Sequence, residues 1–190
     1  MKATILKCKK EPRSKSSVVV VKVICEQTSE IIDCLGEDNS IPEFSPGTMV
    51  LFPGEGAKGF VELTNEELLG IKEFVFIDST WQQTKSMLRN PNLDKVPKLK
   101  LEGHTTAFWR YQSVSKNSLA TVEAVFYCFE DFHMEMFKRG LFNEEPAGVY
   151  DNLLWMFKYT YNLIQSEYTE KRHKNKRFKH IPNYIKPLKK

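Results

Sequence analysis

Asp78-Ser79-Thr80-Trp81 sets a carboxylate, two hydroxyls and an indole directly after an unbroken apolar run, Phe74-Val75-Phe76-Ile77. A carboxylate at the end of a buried strand can take a proton from a substrate held within hydrogen-bond reach. The same short polar residues also suit a plain N-cap, bonding the free N–H groups of a following helix. A second stretch, Leu51-Phe52-Pro53-Gly54, ends another apolar run in a turn with little side-chain bulk, whose backbone a ligand can approach closely. Pro-Gly alone is equally an ordinary turn. A third, Leu119-Ala120-Thr121-Val122-Glu123, opens a long amphipathic stretch. There Glu123 is either a hydrogen-bond acceptor in a pocket or the acid of its helix's first turn. Arg110 stands among Phe108, Trp109 and Tyr111, where a guanidinium can stack on bases and grip phosphate, or simply cover core rings.

These groups need elements to position them. The run over 74–77 has the composition of a parallel strand buried on both faces, and Trp81, Thr84, Lys85 and Leu88 follow at helical spacing. Strand, polar turn, helix is where open α/β sheets hold ligands, beyond the carboxyl ends of strands. Val18 to Ile24 is a strand or the start of a buried helix, since periodicity fits both, and Glu30 to Leu35 is a second short element. Thr48 to Phe52 reads as a strand, Leu63 to Leu69 as a short helix with Thr64 and Glu67 in capping-box register and Gly70 closing it. Lys98 to Leu101 alternates like an exposed strand. A long helix starting near Ser118 carries Phe126, Phe129 and Phe132 as a core stripe, with Ser118 and Thr121 as capping residues. His133 at the end of that stripe reads as a satisfied or exposed histidine rather than a ligand. Tyr150 to Ile164 forms the last helix, with Leu153, Leu154, Phe157, Tyr161 and Ile164 on one face. Among the basic residues of 1–16, only Ile5 and Leu6 are expected to be buried.

The composition, 41% hydrophobic and 27% charged in 190 residues, is that of one soluble globular domain. Its net charge of +4 is unevenly spread. Residues 171–190 hold nine Lys or Arg and no acid, leaving 19 basic against 24 acidic side chains before them. A body of net negative charge with a basic tail suits a polyanionic partner, or a solvated tail with none. The run Lys171 to Arg177 serves equally as a nuclear import signal. Cys8, Cys25, Cys34 and Cys128 show no CxxC pair or metal-ligand spacing, so reduced thiols and no metal site are expected. No apolar stretch reaches membrane-spanning length, and no membrane partner is expected.

In this order the motifs resemble the DTW-domain proteins, a family of tRNA-uridine aminocarboxypropyltransferases. The signature is carried by Asp78, Thr80 and Trp81, the Phe-Pro-Gly turn by Phe52-Pro53-Gly54, the Phe-Trp-Arg segment by 108–110, and the Ser/Leu-Ser-Thr-x-Glu-Ala turn by Leu119 to Ala124. The resemblance runs from about Glu11 to about Ile164 and is nearest to the eukaryotic nuclear branch. It departs where Cys8-Lys9 replaces a His-Pro before Glu11, Lys15 and Ser16, where Ala120 replaces a serine, and in lacking an amino-terminal cysteine cluster.

The resemblance implies a SPOUT-like knotted α/β fold, a mainly parallel sheet flanked by helices, in a catalytic domain over residues 1–170 followed by the basic tail 171–190. It implies S-adenosylmethionine bound by Leu51, Phe52, Pro53, Gly54, Thr80, Trp81, Leu119, Ala120, Thr121 and Glu123. It further implies transfer of a 3-amino-3-carboxypropyl group to N3 of a tRNA uridine, for which Asp78 is the base expected. Arg13, Lys15, Arg110, Lys171, Arg172 and Lys174 are the residues expected to meet tRNA. A monomer in the nucleus is anticipated, with the cytoplasm as the alternative. A silent tRNA-binding relative and a SPOUT-type RNA methyltransferase are the competing functions.

Overall fold

A computed structural model describes residues 1–9, 16–34, 40–106 and 119–171, the side chains of Trp81 and of 164–171 excepted. Its strands are β1 (Lys2–Cys8), β2 (Ser29–Cys34), β3 (Thr48–Leu51), β4 (Glu73–Asp78) and β5 (Lys98–Leu99). Its helices are α1 (Val18–Ile24), α2 (Asn65–Gly70), α3 (Trp81–Met87), α4 (Pro91–Asp94), α5 (Thr121–Lys138) and α6 (Asp151–Lys171), and among the described residues Phe60–Glu62 forms a 3-10 turn. The strands form one sheet in the order β2-β1-β4-β3-β5, every pair parallel.

A parallel sheet must bury both faces, and alternation along the strands divides the core accordingly. Ala3, Ile5, Phe74 and Phe76 face a layer made by α1, α5 and α6, whereas Leu6, Val50 and Val75 face Met87, Leu88 and Leu93 of the α3–α4 segment. Phe74 anchors the first layer, with the rings of Phe60, Phe129 and Phe132 around it at 6.0, 5.7 and 5.5 Å. Edge-to-face contacts of this kind add to the burial of the rings themselves.

Local chemistry sets the element boundaries. Thr64 caps α2 in the anticipated box, Glu67 N–H donating to its hydroxyl and the Glu67 carboxylate accepting from Thr64 N–H. Gly70 is the last residue of that helix rather than a left-handed stop, and Ile71 leaves in extended conformation. Gly47 cannot be replaced without strain, since its φ is +91° and a Cβ would lie 2.4 Å from the Gly70 carbonyl oxygen.

Several expectations shift. Val18 to Ile24 is helical, its Val18, Val20 and Val21 buried and its Val19 and Val23 exposed, which settles the ambiguity left by the β-branched run. The first residues are a fully formed strand, flanked by β2 and β4 and buried from Ala3 to Cys8, Lys7 included. The lysines there had masked a strand pattern. β5 is two residues long, shorter than the alternation suggested. Cys8, Cys34 and Cys128 are buried and all four cysteines are free thiols. The connection from β5 to α5 includes 107–118, which lie outside the described residues, as does most of the basic tail.

Candidate active site

The strands end together. β1 and β4 pair with Lys7 beside Asp78, β1 and β2 with Lys7 beside Asp33, and β3 runs alongside β4 with Val50 beside Val75. Asp78 closes β4 on the face of Phe74 and Phe76, so its carboxylate looks toward the α1–α5 layer. The amino ends of two helices meet it there. Ser16, just ahead of α1, donates its hydroxyl to Asp78 Oδ2 at 2.6 Å. Thr121, the first residue of α5, donates to Asp78 Oδ1 at 2.6 Å. Hydroxyl-to-carboxylate bonds this short are charge-assisted and hold the acid in one orientation.

The two helices are stitched a second time. Ser17 is the cap residue of α1, yet its hydroxyl accepts from the backbone N–H of Val122 at 3.2 Å and so serves α5. Ser16 takes over the local task, accepting from Val18 N–H at 3.1 Å. The pair Ser16-Ser17 thus ties α1 to β4 and to α5.

Asp78 is therefore not the N-cap of α3. Thr80 is: Gln83 N–H donates to its hydroxyl, and the Gln83 carboxamide oxygen accepts from Thr80 N–H at 2.9 Å and from the Thr80 hydroxyl at 2.8 Å. The Ser79 hydroxyl pairs with that of Thr84 at 2.8 Å. With its neighbours occupied in capping, Asp78 is left to the site.

Glu123 lies in the third turn of the sequence pattern and is only 2% exposed. Its carboxylate accepts from Ala120 N–H at 2.7 Å and from the Thr106 hydroxyl at 2.7 Å. Glu123 thus bonds the N–H of its own helix cap, as a first-turn acid does, and the Thr106 hydroxyl besides. Ala120 supplies no hydroxyl in return, so half of the usual reciprocal box is absent. One turn on, Tyr127 stacks on His104 with centroids 3.9 Å apart, and His104 Nε2 meets Asp131 at 2.7 Å. Burial, then the neighbouring carboxylates of Glu123, Glu130 and Asp131, push the Tyr127 phenol up.

Leu51 and Phe52 are half-buried at the end of β3, Pro53 is exposed, and Gly54 bonds back from its N–H to the Phe52 carbonyl at 2.9 Å. A Cβ on Gly54 would sit 2.9 Å from the Phe52 ring, so a side chain there would displace the ring. Leu119 is half-buried ahead of α5. The structure accordingly brings Asp78, Thr121 and Ser16 into contact and sets the 51–54 turn on the adjoining strand end. Arg13, Lys15, Arg110, Arg172 and Lys174 lie outside the described residues, as do the side chains of Trp81 and Lys171.

Two residues with a place at this edge escaped the sequence reading. Ser17 carried the signal of a hydroxyl pair ahead of an apolar run, which marks a helix start. Lys7, 4% exposed, donates to the Cys8 carbonyl at 3.2 Å and stands 3.7 Å from Asp33. Its only signal was a charged residue following Ile5 and Leu6.

The DTW domain matches residues 1–165. tRNA-uridine aminocarboxypropyltransferase 1 of Homo sapiens is 34% identical over 110 residues, covering 56% of this chain and 34% of that protein. Its Rattus norvegicus counterpart is 38% identical over 96 residues, 50% of this chain and 30% of that one. The chain thus spans about a third of the length of the curated relatives it matches. Among solved structures, the SAM-dependent rRNA:acp-transferase Tsr3 from Vulcanisaeta distributa superposes with a TM-score of 0.51 at 16% identity, over 90% of this chain and 81% of that one. At that identity the likeness establishes the fold, the SPOUT-like α/β class with a parallel sheet flanked by helices. With its signature residues at the carboxyl edge of that sheet and the domain matched over residues 1–165, the chain belongs to the DTW-domain family.

Proposed function

We propose that the chain transfers the 3-amino-3-carboxypropyl group of S-adenosylmethionine to N3 of a uridine in tRNA. The observation that carries the reading is the Asp78 carboxylate, presented at the carboxyl edge of β4 and fixed by the Ser16 and Thr121 hydroxyls. The relatives named tRNA-uridine aminocarboxypropyltransferase 1 supply the substrate class.

The residues at this edge fit such a cofactor. Leu51 and Phe52 are half-buried apolar surface for an adenosyl group, and Gly54 in the turn after them carries no side chain to keep a ligand off its backbone. A carboxylate nearby complements a sulfonium. When bound, the cofactor supplies a carbon already activated by the positive sulfur, so the protein has chiefly to position and to move a proton. Uridine N3–H is a weak acid, and Asp78 accepts its proton as N3 becomes the nucleophile. Each carboxylate oxygen keeps a second lone pair beyond the hydroxyl it accepts, so the latch leaves acceptor capacity. Thr121 and Ser16 hold that capacity in place, and the amino end of α5 offers partial positive charge to an anionic group. Arg13, Lys15 and Arg110, with Lys171, Arg172 and Lys174 of the tail, are the cations we assign to the tRNA backbone.

The engagement of both Asp78 oxygens also favours a second reading, a relative that binds tRNA without turnover. Incubating the purified chain with tRNA and S-adenosylmethionine, then digesting the RNA to nucleosides for mass analysis, separates the two. A uridine heavier by one aminocarboxypropyl group is expected. A methyl addition, or tight tRNA binding with unmodified uridine, would overturn the proposal.

A further inference from the structure

We propose that the outward face of α6 is a stacking track for unpaired nucleotides of an RNA, leading them to the Asp78 edge; this rests on the reading of the chain as an RNA-acting protein. Leu153, Phe157 and Tyr161 bury one side of the helix. On the other side Trp155, Tyr159 and Leu163 are 67%, 55% and 52% exposed. Their four-residue spacing places them one above another. The rings of Trp155 and Tyr159 are already parallel, 11° between planes with centroids 5.9 Å apart. Aromatic planes presented in series to solvent are what successive bases stack on, and every base has a face to offer.

The direction of α6 supports the assignment. Tyr150, just before the helix, bonds His133 on α5 and lies close to Cys25 at the foot of α1. From there α6 packs along α1 and α5, whose amino ends hold Asp78. At about 1.5 Å per residue, Asp151 to Leu163 rises ~18 Å. The seven residues of β1 span about 20 Å, so Leu163 comes level with the site.

Charge selects the occupant. From Asn152 to Ser166 the sole charged residue is Lys158, and after Glu167 and Glu170 the chain continues with nine Lys or Arg and no acid. A second copy of the chain would offer this face only the same positive Lys158, with no acid from Asn152 to Ser166 to complement it, and the same basic sequence after it. A polyanion with exposed bases meets both the rings and the cations.

The test compares the intact chain with Trp155→Ala/Tyr159→Ala and with Trp155→Phe/Tyr159→Phe. Anisotropy of a labelled uridine-rich single-stranded RNA and of a tRNA transcript gives affinity against salt; sedimentation gives the oligomeric state. The alanine variant should bind about tenfold or more weaker, as loss of base stacking predicts, with an unchanged salt slope because no phosphate contact is removed. The phenylalanine variant should regain most of the affinity. Wild-type affinity in the alanine variant, no rescue by phenylalanine, no RNA binding by the wild-type chain, or a dimer that the alanine variant dissolves would each overturn the track. Nucleoside mass analysis run in parallel keeps the two proposals apart. Modified uridine with an indifferent alanine variant refutes the track alone, and stacking-dependent binding without product refutes the reaction alone.

Discussion

Replacing Asp78 separates what the carboxylate does for the fold from what it does for chemistry. In Asp78→Ala the Ser16 and Thr121 hydroxyls lose their acceptor, and β4 loses its ties to α1 and α5. A hydrogen bond to a charged group nets about 1.5–3 kcal/mol, and water can reach a half-exposed site, so the low end applies to each. Two bonds then give a loss of about 3 kcal/mol. A domain of ordinary stability, about 5–15 kcal/mol, remains folded after that loss. In Asp78→Asn the shape is kept, the carboxamide oxygen accepts one hydroxyl and its NH₂ donates to the other, so the loss falls to about 1 kcal/mol or less. Neither variant can take up the uridine proton, and both should lose aminocarboxypropyl transfer by at least about 10²-fold, the smallest contribution usual for a positioned base. Urea unfolding measures the first effect, with an unchanged slope showing that only stability moved. Product mass under single-turnover conditions measures the second. Near-normal turnover in the asparagine variant would remove Asp78 as the base. An alanine variant as stable as the wild type would remove the latch.

Two further perturbations probe the body. Arg139 pairs with Glu135 at 2.7 Å and donates to the carbonyls of Leu63, Phe60 and Val61, clamping the 3-10 turn and the start of α2 to the end of α5. Arg139→Ala should cost about 2 kcal/mol and lower Tm by roughly 4–8 °C, while Arg139→Lys, unable to fork, should recover less than half; a scanning calorimeter decides it. Glu130 has its carboxyl raised above the usual value of 4.5 by burial, then by Asp131 and Asp151, with His104 opposing. A raised acid favours the folded state fully below its unfolded pKa, and that contribution is lost as pH climbs through the folded one. Glu130→Gln should therefore be more stable than the wild type at neutral pH, with the gap closing below about 4.5; a constant gap in unfolding across that range would refute the shift.

Much of the site could be read directly because it depends on short-range signals. The end of β4, the Pro-Gly turn and the start of α5 each announce themselves by an apolar run meeting small or polar residues. What could not be read were relations between distant segments. Nothing local says that Thr121 is a donor to Asp78 rather than a cap, or that Ser17 serves a helix a hundred residues away. Thr80 and Asp78 both had capping chemistry, and only the backbone path decided which of them used it. Lys7 concealed a strand because a lysine in an inner strand contradicts the composition expected of one, and Asp33 on the neighbouring strand compensates it. Val18 to Ile24 is helical against its β-branched content because α5 and α6 cover one side of it, tertiary packing outweighing propensity.

The place of β1 in the sheet has a consequence for biosynthesis. β1 lies between β2 and β4, both made after it, and its Lys2 is matched with Glu73. When β1 leaves the ribosome one of its two neighbours does not yet exist, and translation must pass Asp78 before the ladder can close. Such long-separated pairing is slow, and an apolar strand edge waiting for its mate invites the wrong one. Lys2, Lys7, Lys9 and Lys10 on and beside that strand would keep the nascent segment in solution until β4 arrives.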